Sequence, residues 1–87
     1  MRPRVQAAKY LQAFGLAVRR RREAASSSQE DLSFRAKLDR TYISGIERGV
    51  RNPTLKTILR IAKALNTTAE ALVADAERIF SAENDAE

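Results

Sequence analysis

Apolar residues recur three and four positions apart along most of the chain, and no segment alternates apolar and polar residues. That spacing is typical of amphipathic helices, whereas the strands of a half-buried sheet alternate at every second residue. The pattern therefore predicts an all-α protein. The first helix is expected over about residues 4–25, with an inner stripe of Leu11, Phe14, Ala17 and Val18.

Capping residues divide the rest of the chain into four further helices, which completes a predicted five-helix bundle. Ser28 and Thr54 are suitable N-caps for helices two and four, and Gly49 is suited to close helix three in a left-handed conformation. The expected bounds of helices two, three and five are 29–37, 40–48 and 69–81. Helix four is expected to bury Leu55, Ile58, Leu59, Ala62 and Leu65. Residues 81–87 are expected to fray.

The length of 87 residues accommodates one domain with short extensions. We expect a helical N-terminal extension over 1–13, the domain itself over 14–82 and an acidic tail over 83–87. A unit this small buries a limited share of its apolar surface, so a second copy would add stability and a homodimer is expected. The expected dimer contact is the apolar side of helix five: Leu72, Val73, Ala76, Ile79 and Phe80.

The chain has no cysteine and no histidine. Disulfide scaffolds, zinc fingers, thiol nucleophiles and imidazole acid–base catalysis are therefore excluded. We expect no enzymatic activity, no metal or other cofactor and no small-molecule ligand. No apolar run approaches the length of a membrane span or a signal peptide, so the sequence predicts a cytoplasmic protein without membrane contact.

Charge is distributed unevenly along the chain. Residues 1–67 contain 15 of the 16 Lys and Arg against 5 acids, a net charge of +10, whereas residues 68–87 contain one Arg against 6 acids, a net charge of −5. A basic body attracts polyanions such as nucleic acid. The acidic end is expected to face away from them.

Residues 29–48 have the spacing that a helix-turn-helix requires. Two short helices that cross over a tight turn need apolar residues at fixed positions, which are filled here by Leu32, Ala36, Leu38, Ile43 and Ile46. Ser33 is small where the two helices are expected to come closest. The residues expected to face outward from helix three are Arg40, Thr41, Tyr42, Ser44 and Gly45, with Arg48 at its end.

Three segments of the chain, SQEDL (28–32), LDRTYISGIERG (38–49) and RNPTL (51–55), resemble the Cro/C1-type, or XRE-type, helix-turn-helix regulators. The resemblance extends over about residues 14–72 and is greatest to the controller proteins of restriction-modification systems. It implies a fold of the lambda-repressor-like DNA-binding type and a nucleoid-associated transcriptional regulator, a repressor or an activator. Such a protein would bind operator half-sites in double-stranded DNA as a homodimer, with RNA polymerase as a further possible partner.

The resemblance also implies roles for individual residues. Arg40, Thr41, Ser44 and Tyr42 would contact base edges in the major groove, with Arg40 suited to a bidentate contact with guanine. Phosphates would be bound by Gln29, Arg48, Arg51, Asn52 and Thr54. Gln29 would also brace the start of helix three, and Arg22 would form a structural ion pair with Glu47.

The chain departs from the family pattern at three positions. Lys37 stands at a turn position where the family usually has glycine, and Ser26 stands where helix one usually ends in glycine. A left-handed backbone at either residue costs about 1 kcal/mol or more. Ser27 replaces a usual apolar residue.

Several conspicuous side chains also have structural interpretations. Successive helical residues point about 100° apart, so the run Arg19 to Arg22 cannot form one DNA-binding face and is expected to be solvated surface plus the Arg22 pair. Glu30 and Asp31 suit the positive end of helix two. Tyr42 could pack on helix two instead of contacting DNA.

Two alternatives concern the N-terminus and the function of the whole chain. Arg2 and Arg4 could form a minor-groove arm, but a basic terminus is more often disordered. A protein-interaction adaptor on the same scaffold would require an apolar or acidic face on helix three, which the sequence does not show.

Overall fold

The computed structural model describes residues 3–85, with side chains from residue 6 to residue 83. Its helices are α1 (Pro3–Ala24), α2 (Gln29–Ala36), α3 (Arg40–Glu47), α4 (Leu55–Ala64) and α5 (Ala69–Asp85). No strand occurs in this part of the chain, so the all-α, five-helix prediction is confirmed. Arg2 lies outside the described residues, and for Arg4 only the helical backbone is described.

The helix starts follow the capping residues that the sequence predicts. The Ser28 hydroxyl accepts a hydrogen bond from the Asp31 backbone N–H at 2.9 Å, and the Asp31 carboxylate accepts one from the Ser28 N–H at 3.1 Å. This reciprocal capping box satisfies two backbone donors that the helix leaves open, and it lowers the pKa of Asp31. Thr54 caps α4 through the Thr57 N–H at 3.1 Å.

Three helix ends rest on left-handed residues other than glycine. Ser26, Lys37 and Asn66 have φ angles of 55°, 58° and 58°, and Gly49 follows α3 with φ 79°. Lys37 is therefore the C-cap of α2, whereas the predicted bounds 29–37 had made it the last helical residue. The family departures at Ser26 and Lys37 retain the backbone conformation that glycine would adopt, at the cost of strain.

The core lies where α1, α3, α4 and α5 converge on the inner side of α2. Its largest fully buried side chains are Val18, Leu32, Ile43, Ile46, Ile61 and Leu72. Each helix of the bundle contributes at least one of them. The predicted core positions of the helix-turn-helix are confirmed: four are buried, and Leu38 is half-buried against the cluster.

The predicted inner stripe of α4 is wrong at two positions. Leu55 and Leu59 are 69% and 52% exposed, whereas Ile61 is fully buried and Thr57 is buried beside it. Helix α4 has apolar residues around more than half of its circumference, so periodicity alone does not determine which side faces inward. Packing against α2 and α5 selects the side with Thr57, Ile61 and Ala62.

Helices α1 and α5 pack antiparallel over most of their lengths. The Tyr10 and Phe80 rings lie 5.1 Å apart near one end of the pair, and Arg21 binds Asp75 nearer the other. Helix α5 contacts α1 as far along as Phe80 and continues as a helix through Asp85. The predicted end at residue 81 and the fraying of residues 81–85 are therefore wrong, and residues 86 and 87 lie outside the described part.

Candidate DNA-binding surface

Helix α3 has an inner side that is buried in the core and an outer side that is polar. Ile43 and Ile46 are 0% and 1% exposed, and the Asp39 carboxylate caps the first turn by accepting a hydrogen bond from the Thr41 N–H at 2.8 Å. Arg40 and Thr41 are exposed, and Ser44 is half-buried. A cap and two buried anchors leave this short helix little freedom to rotate.

Arg40 stands at the first position of α3 with its guanidinium unengaged. It makes no hydrogen bond or ion pair with any described residue. Guanidinium groups bind two acceptors on one planar edge, as guanine presents in the major groove. The side chain is therefore available for a contact outside the protein.

Gly45 lies beneath Arg51, which corrects the prediction that it faces outward. A Cβ at Gly45 would lie 2.6 Å from Arg51 Cγ, and the Arg51 guanidinium carbon lies 5.6 Å from the centre of the Tyr42 ring. Tyr42 is itself half-buried against the core. The loop after α3 thus places an arginine across the outer side of α3, which helical periodicity within α3 could not show.

Gln29 contacts the end of α3 and not its start. Its amide nitrogen donates to Glu47 Oε1 at 3.0 Å, which corrects the expected brace. The same oxygen accepts a hydrogen bond from Arg22 Nη2 at 3.0 Å. Because Glu47 is held in place by that arginine, its carboxylate faces the start of α2 and engages the glutamine there.

The expected ion pair between Arg22 and Glu47 is present and nearly enclosed. Arg22 Nε lies 2.7 Å from Glu47 Oε2, and the two side chains are 11% and 3% exposed. Arg22 Nη1 also donates to the Ser27 carbonyl at 2.8 Å. The hydrogen bond to Glu47 raises the pKa of Arg22. The pair fastens α1 to the end of α3 and to the turn before α2.

The candidate phosphate-binding groups surround α3 on neighbouring segments. Arg48, Arg51, Asn52 and Thr54 are all exposed. The Thr54 hydroxyl is used as the cap of α4, so the open backbone N–H groups at the start of α4 are the available donors there. Arg48 Nε lies 3.4 Å from Ser44 Oγ, which ties the end of α3 to its outer side.

The four consecutive arginines of α1 point in separate directions, as the helical geometry predicts. Arg19 pairs with Glu23 at 3.1 Å on the surface, and Arg21 binds Asp75 at 2.6 Å and Thr67 at 3.1 Å. The sequence interpretation missed the Arg21 pair because its partner lies 54 residues further along the chain. The hydrogen bond from Arg21 lowers the pKa of Asp75.

The expected dimer contact on α5 is wrong at Leu72 and Ala76. Both are 0% exposed within a single chain, so they offer no surface to a second copy. Ile79 is half-buried against the same core, and Phe80 stacks on Tyr10. Of the predicted set, only Val73 is markedly exposed, at 37%.

Among the described residues, no group of Asp, Glu, His and Cys is arranged to hold a metal ion. No helix described here is long and apolar enough to cross a membrane.

A helix-turn-helix family model matches residues 18–72 of the chain. The control protein C.BamHI of Bacillus amyloliquefaciens is 55% identical over 53 residues, which cover 60% of this chain and 65% of that protein. The chain thus matches slightly less than two thirds of the length of this relative. The control protein C.SmaI of Serratia marcescens is 46% identical over 56 residues, 64% of this chain and 67% of that protein.

Solved structures agree with these sequence relatives. The restriction-modification controller protein C.AhdI from Aeromonas hydrophila superposes with a TM-score of 0.70 at 45% identity, over 71% of this chain and 94% of that one. The controller protein C.Esp1396I, solved as a tetramer with its natural 35-base-pair operator, superposes with a TM-score of 0.75 at 34% identity, over 82% and 93%. Sequence and fold thus agree that the chain belongs to the helix-turn-helix family that includes the restriction-modification controller proteins.

Proposed function

We propose that this chain is a sequence-specific, double-stranded-DNA-binding transcriptional regulator that inserts α3 into the major groove. The observation that carries this proposal is the exposed, unpaired Arg40 at the start of a helix anchored by Ile43 and Ile46. Thr41 and Ser44 complete a polar side of a width suited to base edges. The controller protein C.Esp1396I, of the same fold, has been solved bound to its operator.

Phosphate contacts would fix the position of α3 on the duplex. Arg48, Asn52 and the N-terminus of α4 surround the outer side of α3, and Arg51 lies at its edge against Tyr42. Such contacts add affinity without sequence information. Gln29 remains a candidate through its backbone N–H at the start of α2, because its side-chain amide is engaged by Glu47. The stacked position of Tyr42 favours contact at the groove wall over deep insertion.

We propose a homodimer whose contact surface lies mainly on α4. Leu55 and Leu59 are one helical turn apart and exposed. Leu59 shares a groove with Ala69, which lies one turn before Val73 on α5. These four residues form an apolar stripe in which Leu55, Leu59 and Val73 are exposed and Ala69 is half-buried. Covering it with a second copy would place two α3 helices on one duplex.

The regulator acts in the cytoplasm on the nucleoid, without catalysis, cofactor or small-molecule ligand. Its effect on transcription involves RNA polymerase, which it either excludes from the promoter or contacts.

The proposed domain organisation is a DNA-binding domain over 14–82, an N-terminal extension over 1–13 and an acidic end over 83–87. The alternative of a protein-interaction adaptor is disfavoured because α3 exposes Arg40, Thr41 and Ser44 and not an apolar or acidic face.

Selection of bound sequences from a random DNA pool tests the assignment. The wild-type chain is expected to enrich one motif with two related half-sites. Arg40→Ala is expected to lose preference at one base pair in each half-site, which corresponds to about 1–3 kcal/mol of discrimination. Arg51→Ala is expected to weaken all sequences alike and to flatten the salt dependence. An unchanged motif with Arg40→Ala would refute the assigned base contact.

A further inference from the structure

The first half of α1 lies against the turn that follows α3. A Cβ added at Gly49 would lie 2.7 Å from Gln12 Cγ and 2.8 Å from Gln12 Cα, so the two backbones approach closely at this point. Gly49 has a φ of 79°, a left-handed conformation that glycine adopts at little cost. A side chain at position 49 is therefore opposed both by the conformation of the turn and by the helix that covers it.

The covered turn lies between two of the candidate phosphate-binding side chains. The Gly49 and Val50 N–H groups donate hydrogen bonds to backbone carbonyls of α3, both at 3.0 Å. Arg48 and Arg51 flank these two residues in the chain and are exposed. The position of either guanidinium relative to a duplex thus depends on how firmly the turn is held.

A ring contact with α5 fastens the first half of α1. The Tyr10 and Phe80 rings lie 5.1 Å apart, and burial, together with a hydrogen bond to Glu77, raises the pKa of the Tyr10 hydroxyl. The first turn of α1 contains no acidic residue to complement the positive end of the helix. This part of α1 therefore depends on tertiary contacts, and both Tyr10 and Gln12 lie outside the residues 18–72 that the family shares.

We propose that Tyr10 is a positioning residue for DNA binding, because it holds α1 against Gly49 and so fixes the turn that presents Arg48 and Arg51 to phosphates. This inference rests on the proposed function, since it concerns how the chain meets the DNA backbone. The tyrosine acts through the turn and not by contacting DNA. Base recognition does not depend on it, because α3 is anchored by its own buried residues.

A positioning role differs measurably from a purely stabilising one. A ring contact that only stabilised the fold would change the free energy of unfolding and nothing else. A contact that holds the turn also limits local opening within the folded chain. Such opening is observable without DNA, as hydrogen exchange of the Gly49 and Val50 amides.

The first test is hydrogen exchange of the free, full-length chain, followed by NMR. Tyr10→Ala is expected to accelerate exchange at Gly49 and Val50 about tenfold, whereas Tyr10→Phe keeps the ring contact and is expected to exchange as the wild type does. Leu65→Ala is the matched control. Leu65 is also half-buried against the core, but it lies near Thr67, which binds Arg21 in the later half of α1.

The second test titrates the selected operator at several salt concentrations. Tyr10→Ala is expected to bind about three- to tenfold more weakly, with a shallower salt dependence and an unchanged sequence motif, because fewer phosphates are contacted. Combining it with Arg51→Ala is expected to cost less than the sum of the two single losses. Arg20→Glu changes an exposed charge in the later half of α1 and is expected to keep the wild-type preference for the operator.

Two results would overturn the proposal. The first is exchange at Gly49 and Val50 that is no faster in Tyr10→Ala than in Leu65→Ala. The second is an operator affinity and salt dependence of Tyr10→Ala equal to those of the wild type. A wild-type chain without operator preference would instead refute the proposed function, while the exchange measurement would still decide whether Tyr10 holds the turn.

Discussion

Gly15 determines how closely α1 approaches the end of α3. A Cβ at this position would lie 2.2 Å from the Ile46 carbonyl oxygen and 2.6 Å from that of Glu47. Both obstacles are backbone atoms of a helix end, which cannot move aside as a side chain can. Gly45 is different, because a Cβ there would meet the flexible side chain of Arg51.

Gly15→Ala is therefore expected to destabilise the protein, although alanine is normally the better helix former by about 1 kcal/mol. Overpacking against backbone is expected to lower the free energy of unfolding by about 1–3 kcal/mol, measured by urea denaturation. Gly45→Ala is the matched control: it is expected to change stability by less than about 1 kcal/mol while moving Arg51 and weakening DNA binding. A stabilised Gly15→Ala variant would contradict this account of the α1–α3 contact.

At the scale of elements, α1 is fastened to α3 by the pair of Arg22 and Glu47. Glu47→Ala leaves the Arg22 charge enclosed without its partner and is expected to cost about 3–5 kcal/mol of unfolding free energy. The variant also releases the Gln29 amide. Replacing both members, as Arg22→Met with Glu47→Leu, is expected to recover most of that loss in the same denaturation assay. Equal stability of Glu47→Ala and the wild type would show that the pair is dispensable.

The contact between α1 and α5 gives the fold a defined acid sensitivity. Arg21 holds the pKa of Asp75 below its usual value, so the folded state binds protons less readily than the unfolded state. This stabilisation is fully present above the unfolded pKa of about 3.9 and is lost as pH falls through the folded pKa. Asp75→Asn is expected to be less stable than wild type at neutral pH, with the difference shrinking below about pH 4 in thermal unfolding. A difference independent of pH would exclude ionic coupling.

The sequence pattern predicted where the helices begin and end better than it predicted which side of each helix faces the core. The N-caps at Ser28 and Thr54 are local features, so they could be predicted from neighbouring residues. The left-handed conformation at Ser26 and Lys37 was suggested only by the family resemblance, which places glycine at both positions. Which side of α4 is buried depends on where α2 and α5 dock, which periodicity does not encode. The burial of Leu72 within the chain itself has the same origin, because an apolar stripe looks alike whether a second copy or α1 covers it.

On the surface proposed to contact DNA, the sequence likewise predicts the placement of residues within one helix but not of those placed by tertiary structure. Arg40, Thr41 and Ser44 lie within one short helix, and the structure leaves them on its outer side, as the sequence predicts. Arg51 enters from a loop, and its position over Gly45 and Tyr42 depends on tertiary structure. Long-range placement of this kind is the part that a single sequence does not reveal.

At the scale of the whole molecule, we propose that a second copy of the chain covers the apolar stripe of Leu55, Leu59, Ala69 and Val73, three of which are exposed. Leu59→Asp places a charge at its centre, which would be desolvated in a dimer. Sedimentation is expected to show a dimer for wild type and a monomer for Leu59→Asp at the same micromolar concentration. Gln12→Asp, at an exposed position of α1, is the control. A stable wild-type monomer would refute the dimer.

The central claim is that the outer side of α3 recognises a DNA sequence. It is tested most directly by the ratio of affinities for the selected operator and for a scrambled duplex of the same length, at one fixed salt concentration. The wild-type chain is expected to prefer the operator by about 10³-fold or more. Arg40→Ala is expected to reduce that ratio by roughly 5- to 150-fold, the equivalent of about 1–3 kcal/mol, while Arg20→Glu leaves it unchanged. A wild-type ratio near one, or a ratio insensitive to Arg40→Ala, would contradict the account.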